Sequence, residues 1–183
     1  TNMQGEKEVI NKPTFWENLK FFFKYQVNHM YIRYFMWNFA GRQNDIQGHG
    51  GIIKGNWICG IPFIDNLRLG PQQGLPQSMT SNKGMNKYYM LPFILGLIGL
   101  IFQYRRNTKN FVVVLLFFFF TGLAIIMYLN QTPYQPRERD YAYAGSFYAF
   151  TIWIGFGVLA IYEFLKKKIN AVIVASASTI ICG

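Results

Sequence analysis

Residues 111 to 129, FVVVLLFFFFTGLAIIMYL, are an apolar run without a charge or a proline. A helix rises about 1.5 Å per residue, so the run reaches nearly across a hydrocarbon layer of roughly 30 Å. Residues 147 to 165, FYAFTIWIGFGVLAIYEFL, repeat the pattern with Glu163 as the only charge. Residues 88 to 104 are a third run, with Pro92 near its start, where a helix tolerates proline. A fourth, residues 169 to 183, stops short of the roughly 20 residues that a span needs. The pattern predicts an all-α membrane protein with three full transmembrane helices, at about 88–104, 111–129 and 147–165, and a partial fourth at the C-terminus. No basic start followed by a short apolar segment and a small-residue cleavage site opens the chain. With the truncated last run, this reads as an internal or C-terminal piece of something longer.

Charge sets the expected orientation. The connection QYRRNTKN carries Arg105, Arg106 and Lys109 without an acid, and Lys166 to Lys168 follow the third long run. Positive charge beside spans is retained in the cytoplasm. Both connections are therefore expected inside, which places residues 130 to 146 and residues 1 to 87 outside. The net charge of +10 is thus divided between two sides of a membrane, which argues against nucleic acid as a partner.

The first 87 residues are expected to form an extracytoplasmic segment, with the helix bundle at 88–183. Thr14 and Glu17 match a capping box, and residues 15 to 39 stay helix-compatible up to Gly41, a natural terminator. That stretch is too aromatic for one face of a surface helix, yet Lys20, Lys24, Asn28, His29 and Arg33 are too polar for a span. An amphipathic helix lying at the membrane interface satisfies both; a helix packed in an extracytoplasmic domain stays open. A Gly-, Pro-, Asn- and Gln-rich loop follows, from Gly41 to about residue 87. Trp57, Ile58, Ile61, Phe63 and Ile64 would be costly to leave in water. The loop is therefore expected to fold back over the outer face of the spans.

Cys59 and Cys182 lie in dissimilar settings and imply no disulfide framework. His29 and His49 have no partners at ligand spacing, so neither a metal nor a cofactor is indicated. Two polar clusters stand out instead. Arg137, Glu138, Arg139 and Asp140 lie between the two long apolar runs. Three readings stay open for them: mutual pairing and helix capping, pairing of an arginine fork with lipid phosphate, and acid–base chemistry by Glu138 or Asp140. The second cluster holds Arg42, Asn44, Asp45 and Gln47 just past the aromatic helix. It is either an ordinary turn or a site for sugar hydroxyls and phosphate.

The segments YIRYFMWNFAGRQNDIQG, GNWICGIPFID, NKYYMLPFILGLIGL and NQTPYQPRERDYAYAGSFYAFTIWIG resemble a group of large bacterial membrane proteins, formerly a domain of unknown function. That group is similar to the protein O-mannosyltransferase-like enzymes of the GT-C glycosyltransferase superfamily. The resemblance runs from about Tyr31 to Gly157. It implies a multi-pass protein of the bacterial inner membrane, with the outer segments periplasmic. It also implies a polyprenyl-phosphate-linked sugar donor, with transfer to an acceptor such as a protein hydroxyl. It makes Arg137, Arg139 and Arg42 candidates to neutralise the donor phosphate, and Asn44, Asp45, Gln47, Glu138 and Asp140 candidates for polar contacts. The superfamily's main catalytic carboxylate belongs to the first extracytoplasmic loop, ahead of this chain, so no residue here takes that role and the chain alone is expected to be inactive. A non-catalytic scaffold and a transport subunit are the alternatives. Transport calls for ionisable residues at mid-membrane, whereas the charges here gather at the rim.

Overall fold

A computed structural model describes residues 12–133 and 139–166. It is mostly helical. A helix begins at α1 (Phe15–Phe21), widens to π-helical winding over Phe22–Ile32, and continues as α2 (Arg33–Phe39). The capping box is formed: the Thr14 hydroxyl accepts from the Glu17 amide, and the Glu17 carboxylate accepts from the Thr14 amide at 2.8 Å. Gly41 follows the helix at φ +136°, a conformation that favours glycine. A Cβ there would also come within 2.5 Å of the Asn86 carbonyl oxygen.

The polar loop is more ordered than its composition suggests. Strand β1 (Gly41–Arg42) pairs antiparallel with β2 (Asn86–Lys87), Gly41 opposite Lys87 and Arg42 opposite Asn86. Arg42 also bridges to Trp57. Between the strands lie α3 (Pro62–Leu69) and α4 (Gln77–Thr80). Ile58 enters the core as its apolarity predicts, and Cys59 goes in with it, but Phe63 is 78% exposed. The bundle follows: α5 (Leu91–Arg106), α6 (Thr108–Phe119), a π-helical turn (Phe120–Ala124), α7 (Ile125–Leu129), a 3-10 turn (Asp140–Tyr143) and α8 (Ala144–Lys166).

Among the described residues two helical stretches, Thr108–Leu129 and Asp140–Lys166, are long and apolar enough to cross a membrane. The expected three full spans are thus corrected to two. The run beginning at residue 88 yields a helix of only 16 residues, because Tyr89 and Met90 sit in the left-handed region at φ 52° and 58° and Asn107 closes the other end in an extended conformation. Such a helix is roughly 24 Å long, under the usual thickness. The partial fourth span lies outside the described residues.

Side-chain size dictates how these helices meet. A Cβ on Gly99 would overlap the Trp153 carbonyl oxygen, and one on Gly157 would overlap that of Leu95. The backbones of α5 and α8 therefore touch, as small residues allow between apolar helices. Gly96 faces the Phe150 ring and Arg106 pairs with Glu163, so α5 and α8 run in the same direction. Phe111 meets Trp153 while Gly122 meets Ser146, so α6 and α7 run opposite to them. The Trp153 indole donates to Gln103 Oε1 at 2.7 Å inside the bundle. Outside, α5 and α6 present Ile94, Leu97, Ile101, Val113, Leu116 and Phe119. The polar pair is inside and the apolar residues are outside, opposite to the usual arrangement in water.

The aromatic helix packs onto this bundle through its second half. Phe35 lies 4.8 Å from Phe150, and Tyr31 lies 6.1 Å from Phe147, centroid to centroid. Phe35, Met36, Phe39, Ala40 and Cys59 share one core cluster with Phe150 and Trp153. The first half stays open, with Phe15, Trp16 and Phe23 exposed. The helix is thus packed along its C-terminal half and exposed along its N-terminal half.

A Cβ at the α5–α8 contact forces the helices apart, whereas Gly155 on α8 has open space around its Cβ position. Gly99→Ala is expected to lower stability in detergent by about 1–3 kcal/mol, the usual cost of overpacking. Gly155→Ala serves as the matched control and should be neutral or slightly stabilising, since alanine is the better helix former. Paired thermal melts test this; equal melting of the two variants would refute the backbone contact.

Candidate functional site

The loop after Gly41 is folded by its own amides. Gln43 Nε2 donates to the Ile52 carbonyl at 2.9 Å, and Gln43 Oε1 accepts from Asn56 Nδ2 at 3.1 Å. Asn44 Nδ2 donates to the Ile53 carbonyl at 2.9 Å, while its Oδ1 accepts from the Ile46 and Gly55 amides at 3.3 and 2.8 Å. Both side chains are buried. Asn44, expected to contact substrate, thus shapes the loop through both of its side-chain polar atoms, and it also lines the cleft described next. Buried Arg33 adds to the frame: its Nε donates to the His29 carbonyl at 2.8 Å, and Nη1 donates to the Gly55 carbonyl.

This fixed loop leaves its outer residues free to project. Asp45 and Gln47 are exposed, and both line a cleft of about 290 Å³ with Arg33, Tyr34, Trp37 and Asp140. Two clusters some ninety residues apart in sequence, around Asp45 and around Asp140, thus share one cavity. Asp140 opens the 3-10 turn that leads into α8, and its Oδ1 accepts from the Tyr141 amide at 3.0 Å. Trp37 forms one wall, anchored by its indole donating to the Asn44 carbonyl at 3.2 Å. The Arg42 guanidinium lies 4.4 Å from the Trp37 ring centroid, a cation–π contact, and its Nε is buried without a hydrogen-bond partner. Arg139 is exposed beside Asp140. Arg137 and Glu138 lie outside the described residues.

The charges act on Tyr34. Burial first, and then the Asp140 carboxylate beside its hydroxyl, push the Tyr34 phenol above its ordinary value, against a smaller pull from Asn38 and Arg42. Tyr34 thus remains a neutral hydrogen-bonding group at the cleft. With two carboxylates, two amides, an aromatic wall and the Arg33 guanidinium among its described lining residues, the cleft can accept and donate hydrogen bonds to a polyol and stack on its apolar face. Trp37 and Tyr34 were not singled out as site residues in the sequence, where they read as two more aromatics among many; their partnership with the loop appears only in the fold. Among the described residues no three His, Cys, Asp or Glu side chains group closely enough to hold a metal ion.

A second polar cluster is structural. Asp65, fully buried on α3, accepts from the Cys59 amide at 3.0 Å, the Gly60 amide at 2.7 Å and the Cys59 thiol at 3.2 Å. Arg68 lies 3.9 Å above the Trp57 ring and donates to the Trp57 carbonyl. These contacts fasten the segment that carries β1's neighbour, Trp57, and so hold the loop. No protein-family model, no curated protein and no solved structure matches this chain.

Burial, the largest cause, and the Asp65 carboxylate push the Cys59 thiol up. An unfolded thiol loses its proton near pH 8.5 while the folded one keeps it. Stability held at Cys59 is therefore full below that pH and falls as pH rises toward the raised folded value. Urea midpoints measured from pH 7 to pH 10 should decline more steeply for the wild type than for Cys59→Ala. Parallel declines would show that the thiol titrates alike in both states.

Proposed function

We propose that this chain is part of a membrane glycosyltransferase of the GT-C type, and that the cleft holds the sugar of a polyprenyl-phosphate donor at the outer face. One observation carries the reading: Asp45 and Gln47 of the loop meet Asp140 at the head of α8 in a cleft walled by Trp37. That cavity lies at the end of the bundle away from Arg105, Arg106, Lys109 and Lys166. Positive charge is kept in the cytoplasm, which supports an outward-facing cleft; the resemblance makes that outer side the periplasmic face of a bacterial inner membrane. The outward-facing apolar residues of α5 and α6 support the membrane setting.

In this reading the apolar bundle holds the polyprenyl tail's membrane layer at the depth of the cleft. Arg42 and Arg139 flank the donor phosphate, and the resemblance makes Arg137, outside the described residues, a third candidate. Departure of the phosphate from the sugar leaves negative charge on its bridging oxygen, and a fixed guanidinium stabilises it more than water does. Asp45, Gln47 and Asp140 bind sugar hydroxyls, and the Trp37 ring stacks on the sugar's carbon face. The general base that deprotonates the acceptor, a protein hydroxyl or another alcohol, is assigned outside this chain, as the family resemblance implies. The resemblance over Tyr31 to Gly157 is the second support.

Asp45 and Arg139 are exposed, so their replacement tests function without disturbing the core. Losing one charged hydrogen bond to the reacting complex costs about 1.5–3 kcal/mol, or roughly ten- to hundredfold in rate. Transfer from a radiolabelled polyprenyl-phosphate sugar, measured in membranes carrying the chain within its full-length parent, is expected to fall by that factor in Asp45→Asn and in Arg139→Ala. Wild-type transfer in both variants would remove the cleft from the reaction and leave a non-catalytic scaffold as the better reading.

A further inference from the structure

The same helix that lines the sugar cleft with Arg33, Tyr34 and Trp37 borders a second, larger cavity earlier along its length. This cavity, about 520 Å³, is lined by Lys20, Lys24, Tyr25, Asn28, His29 and His49, with Glu17 as the acid among its described lining residues. Four of these side chains are cations or become cations on protonation. Glu17 is the opposing charge, its carboxylate turned to the amide and the hydroxyl of Thr14 at 2.8 and 2.9 Å, and Lys20 and Lys24 together outweigh it. Those bonds hold the Glu17 carboxyl below its ordinary value, with Lys20 adding a smaller effect.

The winding of the helix makes the alignment. Lys20 and Lys24 are four residues apart, a spacing that shares a face on an α-helix. Beyond Phe22 the helix is π-helical, and there the His29 ring stacks on that of Tyr25, 5.4 Å between centroids, in the same cavity wall as Lys24 and Asn28. His49 comes from the opposite wall, on the loop that Gln43, Asn44 and Asn56 tie down. On the same helix Phe15 and Trp16 are 71% and 74% exposed, and Phe23 is exposed as well. Exposed aromatics of this kind settle at the headgroup level of a bilayer. A basic cavity at that level meets phosphate presented by lipid.

We infer that this cavity is a binding site for the phosphate of an anionic phospholipid headgroup, held by Lys20 and Lys24 with Asn28, His29 and His49 completing the shell. The site is separate from the sugar cleft. It rests on the membrane setting proposed above and does not depend on glycosyl transfer. An anionic lipid held here pins the exposed half of the helix to the membrane surface. The packed half, and with it Tyr34 and Trp37, is then held at a fixed depth relative to that surface.

The experiment measures lipid rather than transfer, so its failure and failure of the transferase reading are distinguishable. The full chain, purified in detergent and stripped of lipid, is titrated with phosphatidylglycerol or with phosphatidylcholine, and bound lipid is counted by native mass spectrometry. Wild type should retain phosphatidylglycerol in preference. Lys20→Gln with Lys24→Gln should weaken phosphatidylglycerol by roughly tenfold or more and leave phosphatidylcholine unchanged. Lys54→Gln with Lys83→Gln removes the same charge from exposed lysines elsewhere and should change neither. Thermal melts of both double variants establish that they are folded. Undiminished phosphatidylglycerol binding in the first double variant, or an equal loss in the second, would overturn the site. Displacement of phosphatidylglycerol by inorganic phosphate at comparable concentration would overturn the lipid assignment in favour of a free-phosphate site.

Discussion

The contact between α5 and α8 is the constraint on which the remaining structure depends. Gly99 and Gly157 let two backbones touch, and side chains larger than hydrogen at these positions would prise them apart. Close approach gains dispersion contacts that matter where no hydrophobic driving force separates protein from lipid. It also brings Gln103 within 2.7 Å of the Trp153 indole, and that bond fixes the rotation of both helices. Rotation in turn decides which residues of α8 face the aromatic helix. Phe150 and Trp153 face the core shared with Phe35 and Phe39, and Ser146 and Phe147 lie a turn or two nearer the cleft.

From that fixed face the chain is built outward in layers. Phe147 and Phe150 dock the second half of the aromatic helix, and Tyr31 settles over Gly122, where a Cβ would come within 2.5 Å of its hydroxyl. Docking sets the position of Trp37 and of the helix end at Ala40. The end of the helix starts β1, and β1 pairs with β2 just before α5 begins. The loop is thus pinned at both ends to elements already fixed by the bundle, and Gln43, Asn44 and Asp65 lock its interior. A cleft formed by exposed side chains of such a loop is more precisely held than its glycine-rich sequence would lead one to expect.

The apolar blocks were legible in the sequence because periodicity and length are local properties. Thr14, Glu17 and Gly41 were legible for the same reason, since caps and terminators act within one turn. The true length of α5 was not. Tyr89 and Met90 carry no sequence mark of left-handed backbone, which is imposed by the pairing of Tyr89 with the Cys59 carbonyl and of Leu91 with that of Tyr88. The site was legible as two polar clusters, not as one. Asp45 and Asp140 are brought together by the α8 face that docks the aromatic helix, a relation that no window of the sequence contains. Asn44 carries a second role that the sequence does not show: it lines the cleft and also ties the loop together through the backbone of Ile46, Ile53 and Gly55.

The short α5 bears on how the bundle would sit in a bilayer. At roughly 24 Å it falls short of a hydrocarbon layer of about 30 Å, while α8, parallel and in contact with it, does not. Two parallel helices of unequal length cannot both be matched at both faces. At the basic end they are level, because Arg106 of α5 pairs with Glu163 of α8. The deficit therefore falls at the other end, where Lys87, Tyr88 and Tyr89 meet the start of α5 beside Leu91 and Pro92. Tyrosine and lysine are the side chains that place an apolar stem in lipid and a polar tip in the headgroups. The mismatch draws the strand pair and the polar loop down toward the acyl boundary rather than leaving them in bulk water. A cleft carried on that loop would then open near the headgroup level of such a bilayer.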